Sequence, residues 1–309
     1  MKIFYDFEHA GDIRNAVVTT GSFDGVHIGH KVILQRLRKI AAEIGGETVL
    51  ITFHPHPRKV LYPETSGKGL FLINSQREKI NLLQKAGLDN LIIVEFTLAF
   101  SRMTSVDFVR NILLNKLHAR KIVIGFNHHF GHNREGDYEE LRKLGSSNGF
   151  EVEEIPEQDI HNESVSSTKI RKAIQDGNIQ KANAYLDHQY IMMGLLSKSS
   201  HVLEEIGFPC YSLRIEEDCK LVPPNGVYAV TVIGEDSFSR AMCFIRKNDE
   251  SPADTVVEVH LLESYGSIEG QIGTLLFHKR IREELILKTT EDLKRQLTID
   301  RNQVDELIF

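Results

Sequence analysis

The sequence predicts an α/β protein in which a doubly wound parallel sheet is followed by a small antiparallel β-barrel and a terminal helix. The sheet is predicted because apolar runs alternate with amphipathic helical patterns up to about residue 160, and strands joined in this way pair in parallel. The barrel is predicted because short β-branched or alternating runs, separated by turn signals, dominate after Asp187. We therefore expect one domain at residues 1–187 and a second at residues 188–309.

The elements of the first domain follow from the spacing of its apolar residues. The predicted strands are Val17–Thr20, Thr48–Phe53, Leu91–Phe96, Lys121–Gly125 and Phe150–Ile155. The predicted helices are Lys31–Ala42, Ser75–Ala86, Ser105–Leu117, Tyr138–Ser146, Ser167–Asp176 and Ile179–Leu186. The last two helices are separated by Gly177 and Asn178, which suit a helix end and a new start.

The elements of the second domain are short runs typical of antiparallel strands. They are Tyr190–Leu196, Tyr211–Ile215, Val227–Ile233, Ala241–Ile245, Val256–Leu262 and Gly273–His278. The turn signal Pro223-Pro224-Asn225-Gly226 precedes one of them, and a helix is predicted at Glu291–Leu297.

Composition narrows the class of protein. The chain has 309 residues and a formal net charge of −6, whereas nucleic-acid binders usually have a strong basic excess. No apolar run is long enough to span a membrane, and the three cysteines lack metal-ligand spacing. We expect a cytoplasmic protein that acts on small molecules and binds neither nucleic acid nor membrane. The sequence leaves its oligomeric state open.

The segment Gly21–His30 joins the first predicted strand to the next helix and carries the pattern His27-x-Gly-His30. Ligands of open α/β sheets bind at the carboxyl ends of the strands. A helix N-terminus also attracts phosphate through its free N–H groups and its dipole. The two imidazoles are therefore candidate phosphate-binding groups, and the alternative is two surface histidines at a helix start.

Two further clusters follow strand ends. The turn Phe53-His54-Pro55-His56-Pro57 ends the second strand, where prolines stiffen the chain, and a purely structural turn is the alternative. The segment Gly125–Asp137 follows the fourth strand and contains three closely spaced histidines. Since these lack a clear facial spacing and a nearby cysteine, no metal site is predicted.

A third cluster, Ser166-Ser167-Thr168-Lys169-Ile170-Arg171, lies at a helix start. Hydroxyl, N–H and cationic donors at such a position form a cradle for an anion. For this motif alone, an N-cap followed by solvated charges is the alternative.

Together these segments resemble the bacterial bifunctional riboflavin kinase/FMN adenylyltransferase family, also called FAD synthetase, over nearly the whole chain. The His-x-Gly-His and Ser-Ser-Thr-x-Ile-Arg motifs indicate the wider nucleotidyltransferase superfamily with its Rossmann-like sheet. The Phe-x-Pro-His-Pro turn and the Asn-x-x-Phe-Gly-x-x-Arg-x-Gly-Asp loop narrow the resemblance to the flavin branch. Many relatives carry Asp where this chain has Asn127, and either side chain can hydrogen-bond a flavin ring.

The resemblance implies a reaction in which the FMN phosphate attacks the α-phosphorus of ATP, giving FAD and pyrophosphate with Mg²⁺. His27 and His30 would donate to the α-phosphate. The outgoing phosphates would be held by Ser166, Ser167, Thr168 and Arg171. The resemblance also assigns Gly21, Ser22, Phe23 and Asp24 to substrate binding, and it assigns Phe53, Pro55, Pro57 and Asn127 to the flavin side.

The barrel resembles the riboflavin kinase module of the family, but its nucleotide loop departs from the pattern. Where the family has two glycines and a following arginine, this chain has Ser199, Leu203 and Glu204. The family segment Pro-Thr-Ala-Asn reads Pro209–Ser212, and Asn-Ile-Gly-x-Arg-Pro-Thr reads Cys243–Asp249.

Glu258, the proposed base of the family, is retained in the barrel. We therefore expect an adenylyltransferase that acts on ATP and FMN, with weak or absent phosphorylation of riboflavin. Three alternatives stay open: a fully bifunctional enzyme, a barrel that binds flavin without catalysis, and a nucleotidyltransferase for another small phosphate such as phosphopantetheine.

Overall fold

The computed structural model describes residues 1–126, 128–156, 165–199, 201–235, 237–247, 255–263, 268–286 and 288–308. The chain divides into two compact units. The first comprises Met1–Leu70 and Lys79–Val165, and the second comprises Phe71–Glu78 and Ser166–Phe309. The second unit thus includes a short segment from the first half of the sequence. The domain boundary between residues 187 and 188 stays a prediction.

The first unit is built on a six-stranded parallel sheet. Its strands are β1 (Lys2–Phe4), β2 (Val17–Thr20), β3 (Thr48–His54), β4 (Asn90–Glu95), β5 (Lys121–Gly125) and β6 (Glu151–Ile155). They pair in the order β1-β4-β3-β2-β5-β6. The chain therefore moves outward from β2 in one direction and then returns to β5 on its other side, which makes the gap between β2 and β5 the topological switch point.

Five α-helices lie in the described residues of this part of the sequence. They are α1 (Ile28–Glu43), α2 (Pro57–Leu61), α3 (Gln76–Lys85), α4 (Ser105–Asp107) and α5 (Tyr138–Asn148). The predicted helix at 105–117 is instead a single α-helical turn followed by a π-helix at Phe108–Leu114. The short elements β1 and α2 were not predicted, because three to five residues carry too little periodicity to be recognised.

The strands are buried on both faces because alternate residues enter two separate apolar clusters. One cluster contains Val18, Ile51, Ile92 and Ile122. The other contains Val17, Leu50, Leu91 and Val123, together with Leu34, Leu37 and Ile40 of α1. This arrangement is the two-sided burial expected of a doubly wound sheet.

The second unit contains a closed antiparallel barrel in the strand order β10-β11-β8-β7-β12-β9. Its strands are β7 (Tyr190–Lys198), β8 (Tyr211–Arg214), β9 (Gly226–Ile233), β10 (Phe238–Lys247), β11 (Thr255–Leu261) and β12 (Ile272–Glu283). Its helices are α6 (Ser167–Gln175), α7 (Ile179–Leu186), α8 (His201–Glu205) and α9 (Thr290–Leu307). The predicted fold class is confirmed for both parts of the chain.

The terminal helix α9 is much longer than the predicted 291–297 segment. The apolar pattern ends early because a carboxylate, Asp300, occupies a buried position that periodicity assigns to an apolar residue. Asp300 accepts hydrogen bonds from two donor atoms of Arg282 of β12, Nε at 3.0 Å and Nη2 at 2.7 Å. A charged pair therefore takes the place of an apolar contact in this helix. In the parts of the chain that the structure describes, no helix has both the length and the apolar character needed to cross a membrane.

Candidate functional site

The turn between β2 and α1 begins beside the middle of β3. The Gly21 N–H donates to the Ile51 carbonyl at 3.0 Å. Phe23, Gly25 and Val26 have φ values of 48°, 93° and 41°. Positive φ is unfavourable for a bulky residue and more so for a β-branched one such as Val26. Tertiary contacts, and not local preference, therefore hold this turn.

Three aromatic rings stack at the start of α1. The ring centroids of Phe23 and His30 lie 4.4 Å apart at an interplanar angle of 21°. Those of His27 and His30 lie 3.7 Å apart at 19°. His27 is the residue before the first helical residue Ile28, and its side chain is buried. The structure thus brings the two sequence-predicted imidazoles together at a helix N-terminus, where phosphate binds favourably.

His30 is a neutral imidazole at neutral pH. Burial lowers its pKa well below its usual value, and the charges of His27 and Lys79 lower that pKa further. A neutral imidazole keeps one N–H donor and one acceptor nitrogen. The buried Nδ1 atom of His30 has no hydrogen-bond partner among the residues that the structure describes.

Lys79 of α3 is a site residue that the sequence analysis did not find. It is only 8% exposed, and its Nζ donates to the Ser22 carbonyl at 3.4 Å and to Thr52 Oγ1 at 3.2 Å. A signal was present, because Lys79 stands four residues before the fully buried Leu83 and thus on the apolar face of α3. A lysine at such a position needs polar partners from elsewhere in the fold.

The predicted flavin-side residues lie at the end of β3 and in the turn after it. Phe53 belongs to an aromatic group, with ring centroids 5.5 Å from Phe96 and 5.9 Å from Phe100. Pro55 is exposed, and Pro57 is the first residue of α2. The turn therefore presents an apolar edge directly beside the end of a central strand.

The segment after β5 closes on itself through Phe130 and Gly136, which exchange backbone hydrogen bonds of 3.0 and 2.9 Å. A side chain at Gly136 would place its Cβ 2.7 Å from the Phe130 ring, so only glycine fits there. Asn127 lies outside the described residues. Burial, aided by the charges of His129 and Arg134, lowers the pKa of His128 to about 4. Within the described residues, no group of three or more His, Cys, Asp or Glu side chains could hold a metal ion.

The segments after β2 and β5 begin at the switch point of the sheet, because β2 and β5 are neighbours. The His27–His30 pair follows β2, and the Phe130–Gly136 segment follows β5. Ligands of doubly wound sheets bind at the carboxyl edge of this gap. The first unit thus places the predicted phosphate-binding imidazoles, His27 and His30, and the start of the segment that follows β5 at the same edge of the sheet.

The Ser166–Arg171 motif belongs to the second compact unit. Ser166 is the N-cap of α6, and its Oγ accepts a hydrogen bond of 3.3 Å from the Lys169 N–H. Ile170 is buried, whereas Thr168 is exposed. The motif therefore forms a capped helix start, which is the structural alternative to an anion-binding site. The phosphate-binding role of Ser166, Ser167, Thr168 and Arg171 stays a prediction.

Glu258 of β11 is buried in the barrel, and both of its carboxylate oxygens have partners. Arg246 Nε donates to Oε2 at 3.3 Å, and Ser199 Oγ donates to Oε1. Burial, with the charge of Glu258 as a second cause, raises the pKa of the Cys210 thiol to about 12. The retained carboxylate therefore sits in an ion pair, next to a cysteine that stays protonated at neutral pH.

Part of the segment that replaces the family's glycine loop is helical. Residues 201–205 form α8, and Leu203 packs against an apolar cluster that includes Phe208 and Leu297. The Phe208 N–H donates to the Leu203 carbonyl at 2.8 Å and closes this turn. Leu203 thus contributes to the apolar packing of the barrel unit.

A doubly wound sheet with a His-x-Gly-His helix start at its switch point, followed by a closed six-stranded barrel, defines a nucleotidyltransferase with an added β-barrel. Family models described as FAD synthetase and riboflavin kinase match residues 10–169 and 186–308. The chain belongs to the bifunctional riboflavin kinase/FMN adenylyltransferase family.

Relatives of that name support this membership over nearly the whole length. The protein of Listeria monocytogenes is 32% identical, and the match covers 93% of this chain and 90% of the relative. The protein of Escherichia coli is 28% identical over 93% and 91% of the two chains. A crystal structure described as a macrolide-efflux protein from Streptococcus pneumoniae matches with a TM-score of 0.86 and 26% identity, covering 98% of each chain.

Proposed function

We propose that this chain transfers the AMP group of ATP to the phosphate of FMN at the carboxyl edge of the parallel sheet. A phosphate oxygen of FMN forms a bond to the α-phosphorus of ATP, the bond to the β-phosphate oxygen breaks, and pyrophosphate leaves. The FMN phosphate is already ionised at neutral pH, so no strong base is needed. Catalysis then depends on positioning and on donors aimed at the developing charge. The observation that supports the proposal most directly is the stacked His27–His30 pair at the N-terminus of α1.

In this proposal each predicted residue has one task. His27 and His30 donate to the α-phosphate as negative charge develops on it. The residues Gly21, Ser22, Phe23 and Asp24 shape the substrate side of the turn, and Phe53, Pro55, Pro57 and Asn127 contact the flavin. The groups that hold the outgoing phosphates are Ser166, Ser167, Thr168 and Arg171. Magnesium arrives with ATP, since this ion is usually held by substrate phosphates, waters and one or two carboxylates.

We further propose that the barrel phosphorylates riboflavin weakly or not at all. A kinase loop must bring backbone N–H groups close to phosphates, and glycine permits that approach. Leu203 instead packs into the apolar cluster, and Glu204 introduces a negative charge where the family has arginine. In addition, Arg246 and Ser199 engage the carboxylate of Glu258. A fully bifunctional enzyme and a flavin-binding barrel without catalysis are the competing hypotheses, and the location in the cytoplasm stays a prediction.

One experiment tests both proposals. The full chain is incubated with MgATP and either FMN or riboflavin, and the flavins are separated by chromatography. We expect FAD and pyrophosphate from FMN, and little FMN or FAD from riboflavin. Absence of FAD from FMN would overturn the adenylyltransferase proposal. FMN formation from riboflavin at a rate comparable to the FAD step would show a bifunctional enzyme, whereas tight riboflavin binding without turnover would favour the binding module.

A further inference from the structure

We propose that Lys79 is a positioning residue for the transfer reaction: it fixes the turn that carries Phe23 and places a positive charge beside His30. The inference rests on the proposed function of the His27–His30 pair. Lys79 itself makes no assumed contact with substrate. It acts through Ser22 and through the electrostatics of His30.

Hydrogen bonds from Lys79 and Thr52 hold the turn at Ser22. The Ser22 carbonyl accepts from Lys79 Nζ at 3.4 Å and from Thr52 Oγ1 at 3.3 Å, while Thr52 Oγ1 accepts from the same ammonium at 3.2 Å. These three groups form a closed triangle that ties the turn to β3 and α3. Non-glycine residues at positive φ each cost about 1–3 kcal/mol, so such a turn keeps its shape only where tertiary contacts hold it.

The turn positions the aromatic ring on which His30 stacks. Phe23 comes directly after Ser22, and its ring stacks on the His30 imidazole with centroids 4.4 Å apart. His30 in turn stacks on His27. A shift of the Ser22 carbonyl therefore moves the ring that supports His30. Small displacements of a donor from its productive geometry reduce rates strongly, because the rate depends on alignment in the transition state.

The positive charge of Lys79 acts on His30. Among the residues that the structure describes, the titratable groups whose charges lower the pKa of His30 are His27 and Lys79. A buried ammonium carries a desolvation cost that a neutral donor of similar shape would avoid. The positive charge favours the neutral, single-donor form of His30. A residue that only held the turn in place would need the hydrogen bonds of Lys79 but not its charge.

The test compares neutral and charged replacements with a matched control on the same helix. Lys79→Gln offers hydrogen-bond donors without charge, Lys79→Met offers neither, and Lys79→Arg keeps the charge. Lys85→Met is the control, since Lys85 is exposed on α3. We expect both neutral variants to lower kcat for FAD formation by about tenfold or more, with the KM for FMN changed by less than about threefold. Lys79→Arg should retain more activity than either, and Lys85→Met should match the wild type.

The pH profile distinguishes the electrostatic effect of Lys79 on His30 from its hydrogen bonds to the turn. Loss of the ammonium should raise the pKa of His30, so the acid limb of kcat against pH should move to higher pH in Lys79→Gln. Nuclear magnetic resonance of the imidazole, identified by its loss in His30→Ala, should give a wild-type midpoint well below 6.5 and a higher midpoint in Lys79→Gln. This titration does not require activity, so it is informative even where no FAD forms.

Two results would overturn the inference. One is a folded Lys79→Gln enzyme with the kcat and the pH profile of the wild type. The other, decisive where the neutral variants do not fold, is a wild-type His30 midpoint at or above 6.5. A wild-type chain that forms no FAD from FMN and MgATP would instead overturn the proposed function, whatever the midpoint of His30.

Discussion

Glu78 and Lys220 form an ion pair in which neither side chain is exposed, with Nζ and Oε2 2.6 Å apart. Lys220 Nζ also donates to the carbonyls of Ile73 and Ile191 at 2.6 and 2.7 Å. Glu78 Oε1 accepts from the Met193 N–H at 2.8 Å. The pair therefore connects the segment 71–78 to β7. The segment and the strand both belong to the second compact unit.

Lys220→Met should destabilise the second unit by about 3–5 kcal/mol, because it leaves the Glu78 carboxylate buried without its partner. The double variant Glu78→Leu, Lys220→Met should cost less than the single one, since no unpaired charge remains. Urea unfolding measures the loss, and hydrogen exchange at the Met193 amide reports it locally. The control is the exposed pair of Arg77, in the same segment, with Glu216, and Arg77→Met should cost no more than about 1 kcal/mol. Equal effects of Lys220→Met and Arg77→Met would contradict this account.

His27→Ala and His30→Ala should each lower the turnover of FMN to FAD by about 10²-fold or more, as loss of a donor to a developing negative charge typically does. The KM values should change much less if these contacts strengthen mainly in the transition state. Steady-state kinetics with MgATP and FMN measure both quantities. A fully active double variant would remove the histidines from the mechanism.

Asn127→Leu should raise the KM for FMN and leave that for ATP nearly unchanged. Removing one polar partner from an apolar pocket costs about 1–3 kcal/mol when a buried group is left unpaired. The residue lies outside the described part of the chain, so this prediction comes from the sequence alone. An effect confined to ATP would place the flavin elsewhere.

Riboflavin and MgATP should yield little or no FMN under conditions in which FMN is converted to FAD. Leu203 and Glu204 stand in the loop where the family has glycine and arginine, so the loop lacks both the space and the positive charge that a triphosphate needs. Arg246 also forms an ion pair with Glu258. Arg246→Ala should not restore phosphorylation, because the loop remains unsuited to a triphosphate. Product separation after each incubation checks the prediction, and a kinase rate close to the adenylyltransferase rate would refute it.

The free energy of unfolding should fall as the pH is lowered below about 6.5, the ordinary pKa of histidine. Burial lowers the pKa of His128 to about 4 and that of His30 well below its usual value. Between these values and 6.5 the unfolded chain binds more protons than the folded one, so acid favours unfolding. Each histidine contributes up to about 1.4 kcal/mol per pH unit in this window.

Urea midpoints measured across this range test the sign of the effect. His128→Phe should flatten the curve, because phenylalanine suits an apolar setting and takes up no proton. His9→Phe is the control, since His9 is an exposed histidine. A His128→Phe curve as steep as that of the wild type would show that His128 titrates normally.

The fold could be predicted from the sequence because burial periodicity is a local property of the chain. The alternation of Val17 and Val18 between two apolar clusters is visible as a continuous apolar run. The same rule failed at Asp300, where an ion pair with Arg282 replaces an apolar contact, and α9 continues about three turns beyond the predicted end.

For the candidate site, the sequence by itself determined the residue types and their places at strand and helix ends: the imidazoles of His27 and His30, and the serines of the Ser166–Arg171 motif. Only the tertiary structure decided that Lys79 reaches Ser22 and that Arg246 engages Glu258. The physical reason is that periodicity shows which face of an element is buried, whereas the partner of a buried charge depends on segments distant along the chain. A charge taken out of water must find such a partner, and only the packed fold supplies it.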